Sequence, residues 1–246
     1  MAEQNSGLVT CCRYAYPPNS LQLCGPDAKI DLAFYSGNGS ADLGTKEILR
    51  QFSTLSPYLS LIAYENSIAD PFDARVVEAY WLGNSLLKKV PKRAYADHLK
   101  ETIGLKKKIK SKELNFILNK FNFEALPIHA FHVLNIYKRT GHIEIPKTIQ
   151  TMDACLINYG KVIDIQQGKI KVKTQRLKHD GKKLDLEKNI ERIIGIQGTV
   201  DFEAKKLKTG DWVTYHWGIL CQKITNRQLM NLKYFNNLSI RLANTH

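Results

Sequence analysis

The feature that most restricts the fold of this chain is a series of short alternating runs near its C-terminal end. Lys161 to Ile165, Lys169 to Leu177 and Ile193 to Ile196 alternate apolar with polar residues, and glycines or polar pairs separate them. A further stretch, Gly210-Asp211-Trp212-Val213-Thr214-Tyr215-His216-Trp217-Gly218, sets strand-forming residues between two glycines. Alternation with a period of two places successive side chains on opposite faces of a strand. Several such runs at short spacing predict a small antiparallel β-barrel. Cys155 is expected to enter its first strand and His216 to lie on its last. A helix carrying Leu229, Leu232 and Phe235 should follow, with Leu238 to Leu242 packing back on the preceding part.

Upstream of this region the period changes. Residues 1 to 44 carry little periodicity, and Pro17-Pro18 argues against a helix there, so an ordered coil is expected. From Thr45 the apolar residues recur at helical spacing. Thr45 caps a first helix, and Ser56-Pro57 and Asp70-Pro71 start two more. The strongest pattern runs through Val76, Ala79, Tyr80, Gly83, Leu86, Leu87 and Val90. Gly83 falls inside this helix and suits the close approach of a neighbour. Further helices are expected over 92–104, Lys112 to Phe121 and Ile128 to Tyr137. His142 to Met152, with Pro146 and few large apolar residues, is expected to be a linker. The expected fold is therefore α+β. An N-terminal α-helical domain with an ordered coil spans 1–146, and a C-terminal OB-like barrel with a terminal helix spans 150–246.

Composition bounds the function. The 246 residues allow one large domain or two small ones, and a hydrophobic fraction of 43% suits a globular core. No apolar run approaches the roughly 18 residues of a membrane span, so no membrane partner is expected. The start Met-Ala-Glu-Gln-Asn-Ser lacks the basic region and apolar core of a signal peptide. The five cysteines, Cys11, Cys12, Cys24, Cys155 and Cys221, form no C-x-x-C pair. That count argues against a disulfide framework and a ribbon-type zinc site, and for a reducing cytoplasmic setting. The net charge of +13 suits contact with nucleic acid, lipid or an acidic protein, but by itself describes a solvated lysine-rich surface.

Two motifs carry a resemblance. Cys155-Leu156-Ile157-Asn158-Tyr159-Gly160-Lys161-Val162 has the spacing Cys-Leu-x-x-x-Gly-Lys-Val, and Gly210 to Gly218 reads Gly-Asp-aromatic-Val-x-x-His-x-Gly. In this order, and followed by Thr225 to Tyr234, they make the last third of the chain resemble the HypC/HupF-type assembly chaperone of nickel–iron hydrogenases. In that family the cysteine follows the initiator methionine, whereas Cys155 is internal. The N-terminal part is similar to uncharacterised microbial proteins that carry such a domain. The resemblance implies that Cys155 holds a transient iron group with cyanide and carbon monoxide ligands, near His216. It implies a HypD-type maturation scaffold or a hydrogenase large subunit as partner, with Gly160, Lys161 and Val162 on the partner-binding side.

A second candidate stands upstream. His129 and His132 are three residues apart, so on a helix both imidazoles share one face and can reach one metal or one acid. Glu124 is near in sequence, and Cys24 is a ligand available only across space. Read alone, each is a structural side chain satisfied by hydrogen bonds. Asp70, Asp73, Arg75 and Glu78 are accounted for as caps and helix pairs. No P-loop, G-x-G-x-x-G, G-x-S-x-G or H-E-x-x-H motif occurs. The leading expectation is an accessory, chaperone-like protein of metalloenzyme assembly. One alternative is a nucleic-acid-binding small barrel using Tyr159, Trp212, Tyr215 and Trp217 with Lys161, Lys169, Lys171 and Lys173. Alternation puts Trp212 and Tyr215 on opposite faces, so tight nucleic-acid binding is not expected. The other alternative is a metal-dependent enzyme using His129 and His132, which lacks a complete catalytic constellation.

Overall fold

The computed structural model describes residues 2–136, 145–196 and 206–245. Within them the fold is α+β, with most helices N-terminal, one five-stranded mixed sheet, and a long helix at the C-terminal end.

The first departure from expectation is at the N-terminus. Residues Ala2–Ser20 form a helix, α1, with Pro17 and Pro18 inside it. The prolines do not break it because they stand in its last turn. There they remove only the hydrogen bonds to the carbonyls of Arg13 and Tyr14. Cys11, Cys12, Tyr14 and Ala15 are all fully or almost fully buried. A helix buried on every side carries no amphipathic stripe. That is why periodicity reads this segment as coil. Helix α1 packs against α2 (Lys29–Asn38), α3 (Leu43–Arg50) and α5 (Ala74–Trp81), and against the sheet. Helix α4 (Leu55–Glu65) packs on α5.

The caps are displaced by a few residues from those expected. Asp42, not Thr45, caps α3, and Thr45 returns the second half of a capping box. Asp73 caps α5. The helix expected through Gly83 to Val90 stops at Trp81, because Gly83 has a φ of 85°. A Cβ at Gly83 would fall 2.0 Å from the ring of Phe235. The close neighbour foreseen for Gly83 is therefore Phe235, on the C-terminal helix Asn226–Ala243. The helix expected from Ile128 is short, His129–Phe131, and continues as a π-helical turn over His132–Ile136. The expected linker lies partly outside the described residues. From Ile149 it is not a linker but a helix, Ile149–Cys155, started by a capping box between Thr148 and Thr151.

The strands are β1 (Asn158–Gln166), β2 (Lys169–His179), β3 (Leu184–Gly195), β4 (Trp212–His216) and β5 (Ile219–Lys223). Their order is β1-β2-β3-β5-β4, with β4 returning to β1. Four contacts are antiparallel, whereas β3 meets β5 in parallel through the single pair Gly195 and Ile219. This corrects the expectation of a purely antiparallel barrel. Because β3 meets β5 in parallel, the sheet is mixed.

Two apolar clusters hold the fold. The smaller lies inside the sheet and contains Val162, Ile170, Val172, Val213, Tyr215 and Leu220. The larger runs from Leu8 to Leu242 and joins the helices to Tyr159, Leu177 and Ile219 of the sheet. The C-terminal helix does pack back on the helical part: Lys120 Nζ donates to the Leu242 carbonyl (2.5 Å) and Asn135 Nδ2 to that of Ser239 (3.2 Å). A row of polar rings lies within the larger cluster. The Tyr58 hydroxyl is 3.0 Å from His132 Nδ1 and 3.4 Å from the Tyr95 hydroxyl, and the His98 ring lies edge-on to Tyr58.

Two outcomes are expected. Gly83→Ala forces a left-handed backbone on alanine and pushes on Phe235, so it should destabilise the protein by about 2–3 kcal/mol in urea denaturation. His98 makes stability depend on pH. Burial first, then the neighbouring His132, lowers its pKa from 6.5 to about 4. Between those values the unfolded chain binds more protons. The stabilisation is complete above about pH 6.5 and is lost as pH falls toward 4, by at most about 3 kcal/mol. Urea midpoints followed from neutral pH to about pH 4 should fall less steeply in His98→Gln than in the wild type.

Candidate metal centre

Cys155 is the last residue of the helix Ile149–Cys155, not the first of a strand. Its position is set two residues earlier, by Asp153. The Asp153 carboxylate accepts the Leu177 N–H of β2 at 2.7 Å and the Arg192 guanidinium of β3 at 2.6 Å. The Asp153 carbonyl accepts from Asn158 Nδ2 at 2.7 Å, which fixes the step from helix to β1.

His216 ends β4. The two residues after it, Trp217 and Gly218, have φ of 51° and 73° and form the tight turn into β5. Glycine adopts this backbone freely, whereas a tryptophan there costs about 1 kcal/mol. The Trp217 N–H donates to the Ala154 carbonyl at 2.8 Å, which offsets that cost. The same bond ties the turn after His216 to the residue before Cys155.

The orientation of His216 comes from α1. Its Nδ1 lies 2.8 Å from the Tyr14 carbonyl oxygen. A carbonyl only accepts, so Nδ1 carries the proton and the lone pair is on Nε2. The Tyr14 carbonyl is available because residue 18 is proline and has no N–H to give it. The Tyr14 hydroxyl bonds Thr214 Oγ1 at 2.8 Å, one turn of the strand pleat away from His216.

His129 begins the short helix His129–Phe131. Its ring centroid is 4.7 Å from that of Trp81 and 5.3 Å from that of His216, nearly perpendicular to the latter. The ligating atoms of His129, Cys155 and His216 all lie within 4.8 Å of one another. Both histidines are buried and Cys155 is half-buried. Donors around a tetrahedral ion are spaced by roughly 3.4–3.8 Å, so the trio has to contract by about 1 Å to hold one.

The three donors line a cavity of about 60 Å³, room for a few water-sized groups. Cys24, His132 and Tyr80 line it too, and Phe52, Leu55 and Trp81 supply apolar wall. Among the described residues no Lys, Arg, Asp or Glu lines it. Burial, and then Tyr58 and the cysteines, hold the Tyr80 phenol well above its usual range, so it stays protonated. A bound cation would therefore be balanced by thiolate alone. Three of the remaining cysteines, Cys11, Cys12 and Cys221, are fully buried. Burial pushes the Cys11 thiol up to about 12 and the Cys12 and Cys221 thiols well above the usual range.

The structure thus joins two candidates that the sequence keeps apart. Cys155 and His216 meet His129 from the helical part, and His132 lines the same cavity with Nδ1 on Tyr58. Glu124 lies elsewhere, paired with Lys88 at 3.3 Å. Gly160 and Lys161 both lie within β1. Of the three residues expected to meet a partner, Val162 is buried inside the sheet, Gly160 faces Val172, and Lys161 alone is exposed. Sequence reasoning missed Tyr14, Pro18, Asp153, Tyr80 and Trp81. The Pro17-Pro18 pair was the visible signal, read as a helix breaker when its effect is to release a carbonyl.

A family model described as "Family of unknown function (DUF6390)" matches residues 3–246. No curated protein and no solved structure matches the chain. The match covers the helical part, the sheet and the three converging donors alike, and the chain belongs to the DUF6390 family.

Proposed function

We propose that the cavity binds one transition-metal ion through Cys155, His129 and His216, and that the protein is an accessory factor of metalloenzyme assembly. The observation that carries this reading is the convergence of a thiol and two imidazoles, from three separate stretches of chain, within 4.8 Å. One soft thiolate and two borderline imidazoles suit iron(II), zinc or copper(I) better than magnesium or calcium. Structural sites usually close with four protein ligands, whereas three leave a position open. An open position in a cavity with room beside the ion suits a metal that arrives with small ligands, or that leaves again.

The motif resemblance gives this reading its particular form. In it the C-terminal sheet is an OB-like, HypC-like barrel, which the cyclic strand order supports. Cys155 is the ligand of a transient iron group bearing cyanide and carbon monoxide. A HypD-type scaffold or the large subunit of a nickel–iron hydrogenase is the partner in the transfer. His129 has no counterpart in the matched motifs, so here the helical part contributes a ligand of its own.

Titration with cobalt(II) under anaerobic conditions tests the site itself. Wild-type protein should bind one ion per chain with a thiolate charge-transfer band. Cys155→Ser should abolish the band, and His129→Gln should weaken binding by about 10–100-fold. Cys221→Ala should leave both unchanged. A band that survives Cys155→Ser and disappears in Cys221→Ala overturns the assignment. The iron form is tested separately, by infrared bands of bound cyanide and carbon monoxide in protein purified from a host with a complete hydrogenase maturation system. Their absence there removes the hydrogenase reading and leaves the metal site standing.

A further inference from the structure

A second concave surface, on the outer face of the sheet, shares no lining residue with the metal cavity. Its walls carry Lys161 on β1, Lys173 on β2, Lys188 on β3 and Lys233 on the C-terminal helix, around Tyr159 and Trp212. Strand register explains how they meet. Lys161 stands opposite both Trp212 and Lys173. Residues directly opposite share a face, and two like charges placed so repel each other. Lys188 joins them through a bulge. Asn189, at a φ of 61°, is the extra residue that lets Lys188 pair with Gln175, so Lys188 comes out on the same face as Lys173.

The charges here are unbalanced, unlike those beside them. Lys171 pairs with Glu191 and Arg176 with Glu187, each at 2.6 Å. Lys161, Lys173, Lys188 and Lys233 are in no ion pair among the described residues, and Asp185 is the one carboxylate lining the groove. Holding four cations together, with Asp185 as the one carboxylate in the lining, costs electrostatic energy that packing does not require. An anionic partner would remove that cost.

The rings narrow the choice of anion. A nucleobase needs an open aromatic face to stack on. Tyr159 is buried, its ring meets that of Trp212 at 60°, and Lys233 lies over both rings at 5.4 and 5.1 Å from their centroids. The faces are already covered by a cation. What the groove offers is ammonium groups and side-chain amides, which suit carboxylates. We propose that it is the docking site for an acidic, extended segment of a partner protein. This inference stands independently of the metal site.

Fluorescence anisotropy of a labelled glutamate-rich peptide, titrated with the full chain at low ionic strength, tests it. The peptide should bind, and added salt should weaken it. Lys161→Glu/Lys173→Glu and, independently, Lys188→Ala/Lys233→Ala should each weaken it by about tenfold or more. Lys107→Glu/Lys112→Glu changes the net charge as much as the first pair but alters exposed lysines of the helical part. It should change binding by less than about twofold. No binding by the wild type, or equal losses in the groove and control variants, overturns the proposal. Tighter binding of a single-stranded oligonucleotide through the same lysines also overturns it, in favour of a nucleic-acid groove.

Discussion

The interaction on which the candidate site depends is the double contact of Tyr14 with β4. Its carbonyl takes the Nδ1 proton of His216 and its hydroxyl bonds Thr214. Both bonds are buried, so neither competes with water. They fix α1 on the sheet and set the tautomer of His216 together. A ligating histidine is commonly oriented by a carbonyl on its other nitrogen. The unusual part is the origin of that carbonyl, inside a helix whose ladder a proline has opened. Stacking of Tyr14 on Trp81 at 5.3 Å extends the arrangement to the wall of His129.

The interior of the cavity and the exterior of the protein are opposites in charge. The chain carries +13, yet the cavity is lined by thiols, imidazoles, a protonated phenol and hydrocarbon. Water is poorly placed to screen anything there. A charge placed there would be felt strongly by its few neighbours. The excess lysine serves the outside of the molecule, and the sheet separates the two environments.

Much of the coarse fold is legible in the sequence because it rests on local pattern. Alternation found β1, β2, β4 and the end of β3, though not β5, and helical spacing found most of the helices from Thr45 onward but not α1 or α2. Element boundaries were set by contacts that no local pattern records. Gly83, whose φ of 85° ends its helix, lies against Phe235 from the other end of the chain. Helix α1 was invisible because full burial erases the stripe on which periodicity relies. For the site, Cys155, His216, His129 and His132 could each be singled out by residue type and spacing. Their meeting could not, because it depends on where Asp153 pins one helix and where α1 holds one ring. The parallel contact of β3 and β5 joins strands far apart in sequence, which no local pattern records.

The tie between Trp217 and Ala154 bears on how the molecule comes into being. Chains are synthesised from the N-terminus. Helix α1, His129 and Cys155 all leave the ribosome before β4 exists outside it. Until the β4–β5 hairpin has emerged, the Ala154 carbonyl lacks the Trp217 N–H and the Tyr14 carbonyl lacks the His216 ring. The donor set is thus complete only once the β4–β5 hairpin has been made. A chain that stops before β4 has the Cys155 thiol and the His129 ring without the His216 ring that meets them.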